Sequence, residues 1–397
     1  MTTGWQTRTL CEVSDTFDGP HATPKTVDSG PIYLGISALQ DGVINLSDTR
    51  HVTDDDFTVW TRRVRPQAND VVFSYETRIG QAAIIPDGLE CCLGRRMGLI
   101  RFNPEKVIPR FFLYQYISPQ FRNFLESKTI RGATVDRISI KDFPSFPILV
   151  APLSEQRRIV AILDKAFEAI AVARANAEQN RQNARALFES YLQSVFSQRG
   201  EGWVNKKLGD ACVVERGSSP RPIKQYLTTD SDGVNWIKIG DTEQGGKYVY
   251  SSSQKITPEG AKQSRLVREG DFILTNSMSL GRPYIMKTSG YIHDGWFVLR
   301  LGKDIDPEFF YYLLSSTYVQ NQFHTLAAGA IVKNISGDLV KKALLPIPTL
   351  EQQKLLVKGF ITFSAQTQRL ESLYQRKIAA LDELKQSLLQ QAFSGQL

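Results

Sequence analysis

The chain has 397 residues, is 42% hydrophobic, and carries 48 Lys and Arg against 41 Asp and Glu for a net charge of +7. This composition supports two or three buried cores and excludes a disordered or fibrous chain. No apolar run approaches the ~20 residues of a membrane span, and Met1–Leu10 is polar rather than signal-like, so a cytoplasmic protein with no membrane contact is expected.

Residues 1–150 read as a mixed α+β globule. Short β-like runs at Asp70–Ser74, Ala82–Ile85 and Met97–Phe102 are broken by Gly, Pro, Asn and Asp. Asp54-Asp55-Asp56 reads as a solvated turn. An aromatic helix is expected over Pro109–Leu125, with Pro at its first position. Residues 151–198 read as one helix from about Ser154 to Phe196, roughly 65 Å at 1.5 Å per residue. Ser154 is its expected N-cap. Its stripe includes Ile159, Leu163, Ile170, Ala177, Ala184 and Leu187, and Asn180 falls on the seam as a candidate register marker.

Residues 199–348 repeat the first globule, with β-like runs at Asp271–Thr275, Tyr284–Lys287 and Trp296–Leu301 and an aromatic helix at Pro307–Phe323. Residues 349–397 repeat the long helix, from about Leu350 to Phe393, with a stripe through Phe360, Leu370, Ile378 and Leu384. Neither long helix contains Pro.

The repeat itself, at a shift of about 197 residues, sets the architecture. Gly4-Trp5 recurs as Gly202-Trp203, Pro109-Arg110-Phe111-Phe112 as Pro307-Glu308-Phe309-Phe310, and Gly132-Ala133 as Gly329-Ala330. Pro152-Leu153-Ser154-Glu155-Gln156 parallels Pro348-Thr349-Leu350-Glu351-Gln352. A helix this long cannot bury its stripe alone. The two are therefore expected to pack as an antiparallel coiled coil, giving two homologous α+β domains pseudo-two-fold symmetry. Such a molecule is a ruler: two-fold related readers contact DNA half-sites about one turn, ~34 Å, or a multiple of it apart.

Catalytic motifs are missing. The only Asn-Pro, Asn103-Pro104-Glu105, lacks the aromatic and second Pro of a methyltransferase tetrapeptide. Gly240 through Gly245-Gly246-Lys247 has the wrong spacing for a phosphate loop. His21, His51, His293 and His324 have no ligand spacing, and Cys11, Cys91, Cys92 and Cys212 form no C-x-x-C pair, so reduced thiols and no metal site are expected.

DNA reading needs Arg or Lys for phosphates and Arg, Lys, Asn, Gln or Thr for base edges. The loops that the repeat makes equivalent supply the foremost candidates: Arg131 and Thr134 in the first domain, Lys333 and Asn334 in the second. Lys25, Arg62, Arg63, Arg78 and Gln81 follow in the first. Arg216, Arg221, Lys224, Asn276, Met278 and Arg282 follow in the second.

The layout of globule, Pro-x-x-Glu-Gln helix start, long helix, second globule and second such helix resembles the specificity subunit of type I restriction-modification systems over the whole chain. Gly202-Trp203 to Leu208, followed by Gly217-Ser218-Ser219-Pro220, matches that family's domain start, while Gly19 to Pro24 fits it only loosely. The resemblance implies a non-catalytic subunit that binds a bipartite, asymmetric site on double-stranded DNA, one half per domain. It implies two methyltransferase subunits docked on the helices and domain flanks, with Glu155, Gln156, Glu351 and Gln352 marking the helix starts, and restriction subunits joining them. S-adenosylmethionine would sit in the methyltransferase, and ATP and Mg in the restriction subunit, with no cofactor on this chain. The competing readings are a DNA reader fused to its own enzyme, which the missing motifs oppose, and a structural coiled-coil adaptor that reads no DNA.

Overall fold

Val71–Ser74 and Phe272–Thr275 are each buried at every position, the mark of a central strand covered on both faces. A computed structural model of the chain describes residues 4–132, 135–243, 245–276, 280–327 and 335–397. It divides into two units, residues 1–178 with 376–397, and residues 179–375.

In the first unit an antiparallel sheet runs in the order Ser14–Asp18, Met97–Phe102, Val71–Ser74, Ala82–Ile84. A second sheet pairs Val27–Leu34 in parallel with Cys91–Leu93 and antiparallel with Arg50–His51. Gln6–Thr9 pairs with Pro147–Val150 and closes the globule. Phe73, Phe111, Phe112 and Phe143 are buried in one core beside Tyr116, each phenylalanine contributing about 1.5–3 kcal/mol. The same core takes in Ile159 and Leu163 from the start of the Leu153–Gln198 helix and Leu389 and Phe393 from the end of the Leu350–Ser394 helix. Arg174 and Asp382 pair at 3.0 Å farther along, so the two helices run antiparallel.

The second unit repeats this plan with a larger sheet: Cys212–Arg216, Trp296–Leu301, Phe272–Thr275, Pro283–Met286 and Tyr248–Val249. Its second sheet centres on Val234–Ile237, parallel to Gly290–Ile292. Val204–Lys207 pairs with Leu344–Ile347, as Gln6–Thr9 does with Pro147–Val150. Phe196 of the first long helix packs on Phe360 of the second at 5.7 Å, and Arg181 lies 3.6 Å from Glu371, again antiparallel.

The repeat carries a compensated core contact. Gly98 lies opposite Phe73, and a Cβ on Gly98 would stand 2.3 Å from that ring. At the matching pair of the second unit, Phe297 faces Leu274. The bulk has moved across the ladder, as close packing demands.

Several expectations are corrected. Asp54–Asp56 is not a turn: Thr53 accepts from the Asp56 amide and caps a helix over Asp54–Trp60. Three carboxylates in its first turn suit the positive end of the helix. Each aromatic helix is two helices, Pro109–Tyr116 with Pro119–Lys128 and Pro307–Ser315 with Thr317–Ala327. In the first pair Ser118 caps the second helix and Pro119 cannot continue the preceding one. The first long helix begins at Leu153, so Ser154 lies inside it and does not cap it. Asn180 is exposed; past the first turn of each helix, the polar residue buried along them among the described residues is Thr367, whose hydroxyl donates to Phe363 O at 3.1 Å. Leu187, Leu370 and Leu384 are exposed and lie off the buried stripe.

Candidate nucleic-acid interface

In both units the first strand of the main sheet ends beside the turn that opens the strand next to it. Gly19 donates its N–H to Met97 O at 2.9 Å, and Gly217 donates to Trp296 O at 2.8 Å. A Cβ at either glycine would collide with backbone, 2.6 Å from Met97 O and 2.1 Å from His293 O. Only glycine allows this approach.

At this corner of the first unit one carboxylate gathers polar groups. Asp18 accepts from the Tyr75 hydroxyl at 2.8 Å and lies 2.9 Å from His21 Nε2, and its backbone carbonyl accepts from Arg63 at 3.2 Å. Burial, followed by the bond to Asp18, pushes the Tyr75 hydroxyl well above its usual value, so it stays a donor. The Glu76–Thr77 segment is stitched to the loop ending at Arg137: Thr77 N–H donates to Asp136 O, and Ile138 N–H to Tyr75 O. Around the turn lie two grooves. One, of about 420 Å³, is lined by Glu76, Arg95, Arg96, Gly132 and Arg137. The other, of about 310 Å³, is lined by Tyr33, Gly35, Arg50, Arg95 and Arg96.

The matching corner of the second unit is organised by Asp294. Its carboxylate accepts from Ser219 Oγ at 2.7 Å and pairs with Arg221 at 3.3 Å. Its backbone carbonyl accepts from Asn276 Nδ2 at 2.6 Å and from Arg216 Nε at 3.3 Å. The Ser219 hydrogen bond, helped by Arg221, holds Asp294 below the usual carboxylate range, so it is charged at neutral pH. His293 beside it packs against Trp236 and Trp296, and burial lowers its pKa.

Arg63, Arg216, Arg221 and Asn276 are therefore brought to the two corners. Lys25, Arg62 and Lys224 are exposed, with no side-chain partner among the described residues. Arg131 pairs with Glu126 on the loop beside the first groove. Arg78 and Gln81 are engaged elsewhere. Arg78 donates to Ser37 O at 2.8 Å, and Gln81 accepts from Asp41 N–H at 2.7 Å. Arg282 lies over the Tyr284 ring at 5.7 Å. Thr134, Met278, Lys333 and Asn334 lie outside the described residues.

The helix starts need a one-residue correction. Gln156 is fully buried. Its amide donates to Lys106 O at 2.9 Å and Ala151 O at 2.8 Å and accepts from Ile108 N–H at 2.8 Å. Its counterpart is Gln353, not Gln352: Gln353 donates to Asp304 O and Pro348 O and accepts from Asp306 N–H at 2.7 Å. The Glu-Gln letters hide the match: counted from Leu153 and Leu350, Gln156 and Gln353 hold the same helical position, while Glu-Gln falls one place earlier in the second helix. Glu155 pairs with Arg158 at 2.7 Å, Glu351 is exposed, and Gln352 reaches Glu201 O at 3.3 Å.

Arg50, Arg95, Arg96, Arg137 and Asp294 escaped the sequence reading. The signal was present: aligning Cys91–Leu93 with Gly290–Ile292 places Gly94-Arg95-Arg96 against His293-Asp294-Gly295. The chemistry here is that of binding. Burial pushes the Cys91, Cys92 and Cys212 thiols up to about 12, which leaves them protonated and poor ligands or nucleophiles at neutral pH. Lys247 pairs with Glu308 under the Tyr311 ring.

Comparison with known proteins gives a consistent result. The family model for the type I restriction modification DNA specificity domain matches residues 3–179 and 200–379. A putative type I restriction enzyme specificity subunit, MjaX of Methanocaldococcus jannaschii, is 24% identical over 89% of this chain and 85% of its own. The EcoKI specificity subunit of Escherichia coli K12 is 24% identical over 90% of this chain and 81% of its own. Among solved structures, one from a study of type I R-M complex assembly and conformational transition superposes with a TM-score of 0.80 at 21% identity, covering 100% of this chain and 99% of that one. The HsdS subunit of Thermoanaerobacter tengcongensis gives 0.60 at 22% identity, covering 100% and 98%.

Proposed function

The chain belongs to the type I restriction-modification DNA specificity family, whose members are non-catalytic recognition subunits, and from that premise we propose how it reads DNA. Residues 1–150 and 199–348 each bind one half of a bipartite, asymmetric duplex site. The helices of residues 151–198 and 349–397 join them. Recognition in the first domain centres on the corner at Asp18, with Arg63, Lys25, Arg62 and Arg131 around it. In the second it centres on Asp294, with Arg216, Arg221, Asn276 and Lys224.

One observation carries this reading. Polar residues far apart in sequence meet one aspartate at the same corner of each repeated sheet: Arg63 at Asp18, and Arg216, Arg221 and Asn276 at the backbone carbonyl or carboxylate of Asp294. A carboxylate that holds an arginine pre-orients its donors, which reduces the entropy lost on binding. The two corners differ in every side chain, so the half-sites they read differ as well.

The partners are methyltransferase and restriction subunits, which supply S-adenosylmethionine and ATP with Mg respectively. Exposed Leu355, Leu370 and Leu373 of the second long helix support docking of a protein partner there, since apolar surface of this kind marks interaction sites. The test is methylome sequencing of cells expressing this chain with its methyltransferase. A bipartite, asymmetric motif with modified adenines that disappears on deletion of this chain is expected. Unchanged modification would refute the reading.

A further inference from the structure

We propose that the Gly94–Met97 turn of the first unit seats a phosphate of duplex DNA, with Arg95 as its ligand, and that the second unit has no such seat at the matching turn. The inference rests on the DNA-reading role above and assigns a contact within it.

Arg95 stands at the tip of the turn. Its backbone N–H is anchored on the Tyr33 hydroxyl at 3.1 Å, while its guanidinium is exposed and has no partner among the described residues. The neighbouring Arg96 is tied to Glu76 at 2.7 Å, which fixes the turn and neutralises that carboxylate. Asp48, on the rim of the second groove, accepts from Gln40 at 2.9 Å and Asn45 at 3.0 Å. Arg50 and Arg137, one in each flanking groove, have no ion-pair partner among the described residues. Gly35 and Gly132 line the same grooves without side chains, so a backbone phosphate can approach closely. The free charge at this ridge is therefore net positive and converges from three elements.

Arg96 adopts φ +72°, a left-handed conformation that costs a non-glycine residue energy. Glycine occupies the corresponding place in the second unit, at Gly295. Arginine at this place supplies the partner that neutralises Glu76, which a glycine could not. In the second unit the position of Arg95 is held by Asp294, whose carboxylate repels phosphate and instead holds Arg221. A phosphate contact rather than a base contact follows from the setting. Phosphate is met by clustered cations beside open backbone, and it carries no sequence information.

The test uses the purified complex of this chain with its methyltransferase partner. Duplexes enriched from a randomised pool are titrated from about 50 to 200 mM salt. Arg95→Ala is expected to weaken binding about tenfold at low salt, to flatten the plot of log affinity against log salt by about 0.9, and to enrich the same motif as the wild type. Arg95→Lys retains the slope. A wild-type slope in Arg95→Ala, or a changed motif with an unchanged slope, overturns the proposal while leaving the specificity reading standing. A wild-type complex that enriches no motif overturns both.

Discussion

The first and second units share a frame and differ at its corner. Both share a ladder of four strands, which the second unit extends by a fifth, the same closing two-stranded pair and the same buried glutamine at the start of the long helix. At the corner the charges are exchanged. The first unit ends its strand in Asp18 and carries Arg95 and Arg96 on the turn; the second ends in Arg216 and carries Asp294. The frame is held by backbone hydrogen bonds and buried volume, which tolerate no exposed-charge logic of their own. The corner can therefore vary its chemistry while the sheet beneath it stays the same, as a reader of two different half-sites requires.

The largest effect tests the shared part. Gln156→Leu or Gln353→Leu strips partners from three backbone groups, at about 1–3 kcal/mol for each one left buried. Each substitution should lower the thermal midpoint steeply, and by similar amounts. A large drop from one and none from the other would break the equivalence of the two clasps. Glu155→Ala serves as the exposed neighbour, within about 0.5 kcal/mol of wild type.

Next comes the compensated pair. Gly98→Ala forces a Cβ into the Phe73 ring and should cost about 1–3 kcal/mol in denaturant unfolding. Combining Gly98→Phe with Phe73→Leu rebuilds the pair of the second unit. It should recover most of the loss caused by Gly98→Phe alone, which a double-mutant cycle measures.

Asp294→Ala sharpens the contrast between the corners. It frees Arg221 and Ser219, and should relax discrimination in the second half-site by about 1–3 kcal/mol, the scale of one base-pair contact, without touching the first half-site. Methylation motifs of the variant decide it; relaxation in both halves would contradict one-domain, one-half reading.

The smallest effect is one of pH. Burial lowers the pKa of His293 from 6.5, so the unfolded chain binds that proton more readily than the folded one. Stability of the second unit should fall as pH drops below about 6.5, and the loss should stop growing once the folded state also protonates. Glycine replaces this histidine in the first unit, at Gly94. Hydrogen exchange resolved by unit should show amide protection weakening in the second on going from pH 7.5 to 5.5, and His293→Gln should abolish that component.

Periodicity and repetition alone determined much of this protein. Met97–Phe102 and Trp296–Leu301 are legible as strands because buried β-branched and aromatic runs have one stable use, and their strand bounds agree with the sequence reading. The two long helices are legible because an uninterrupted stripe without Pro can be little else. Local chemistry was harder. Thr53 turned an acidic run into a helix, and Ser118 with Pro119 divided another, because capping acts within one turn while periodicity is averaged over several. Letter identity pairs Gln156 with Gln352, although the amide that points inward in the second unit is that of Gln353, because letters are blind to which side chain faces the core. Only the tertiary structure decided the candidate corner. Asp294 gathers Ser219, Arg221, Arg216 and Asn276 from 18 to 78 residues away in the chain, and the role proposed for Arg95 rests on Arg50 and Arg137 across two grooves. No local pattern encodes such a convergence, because it is set by which strand ends the folded sheet brings side by side.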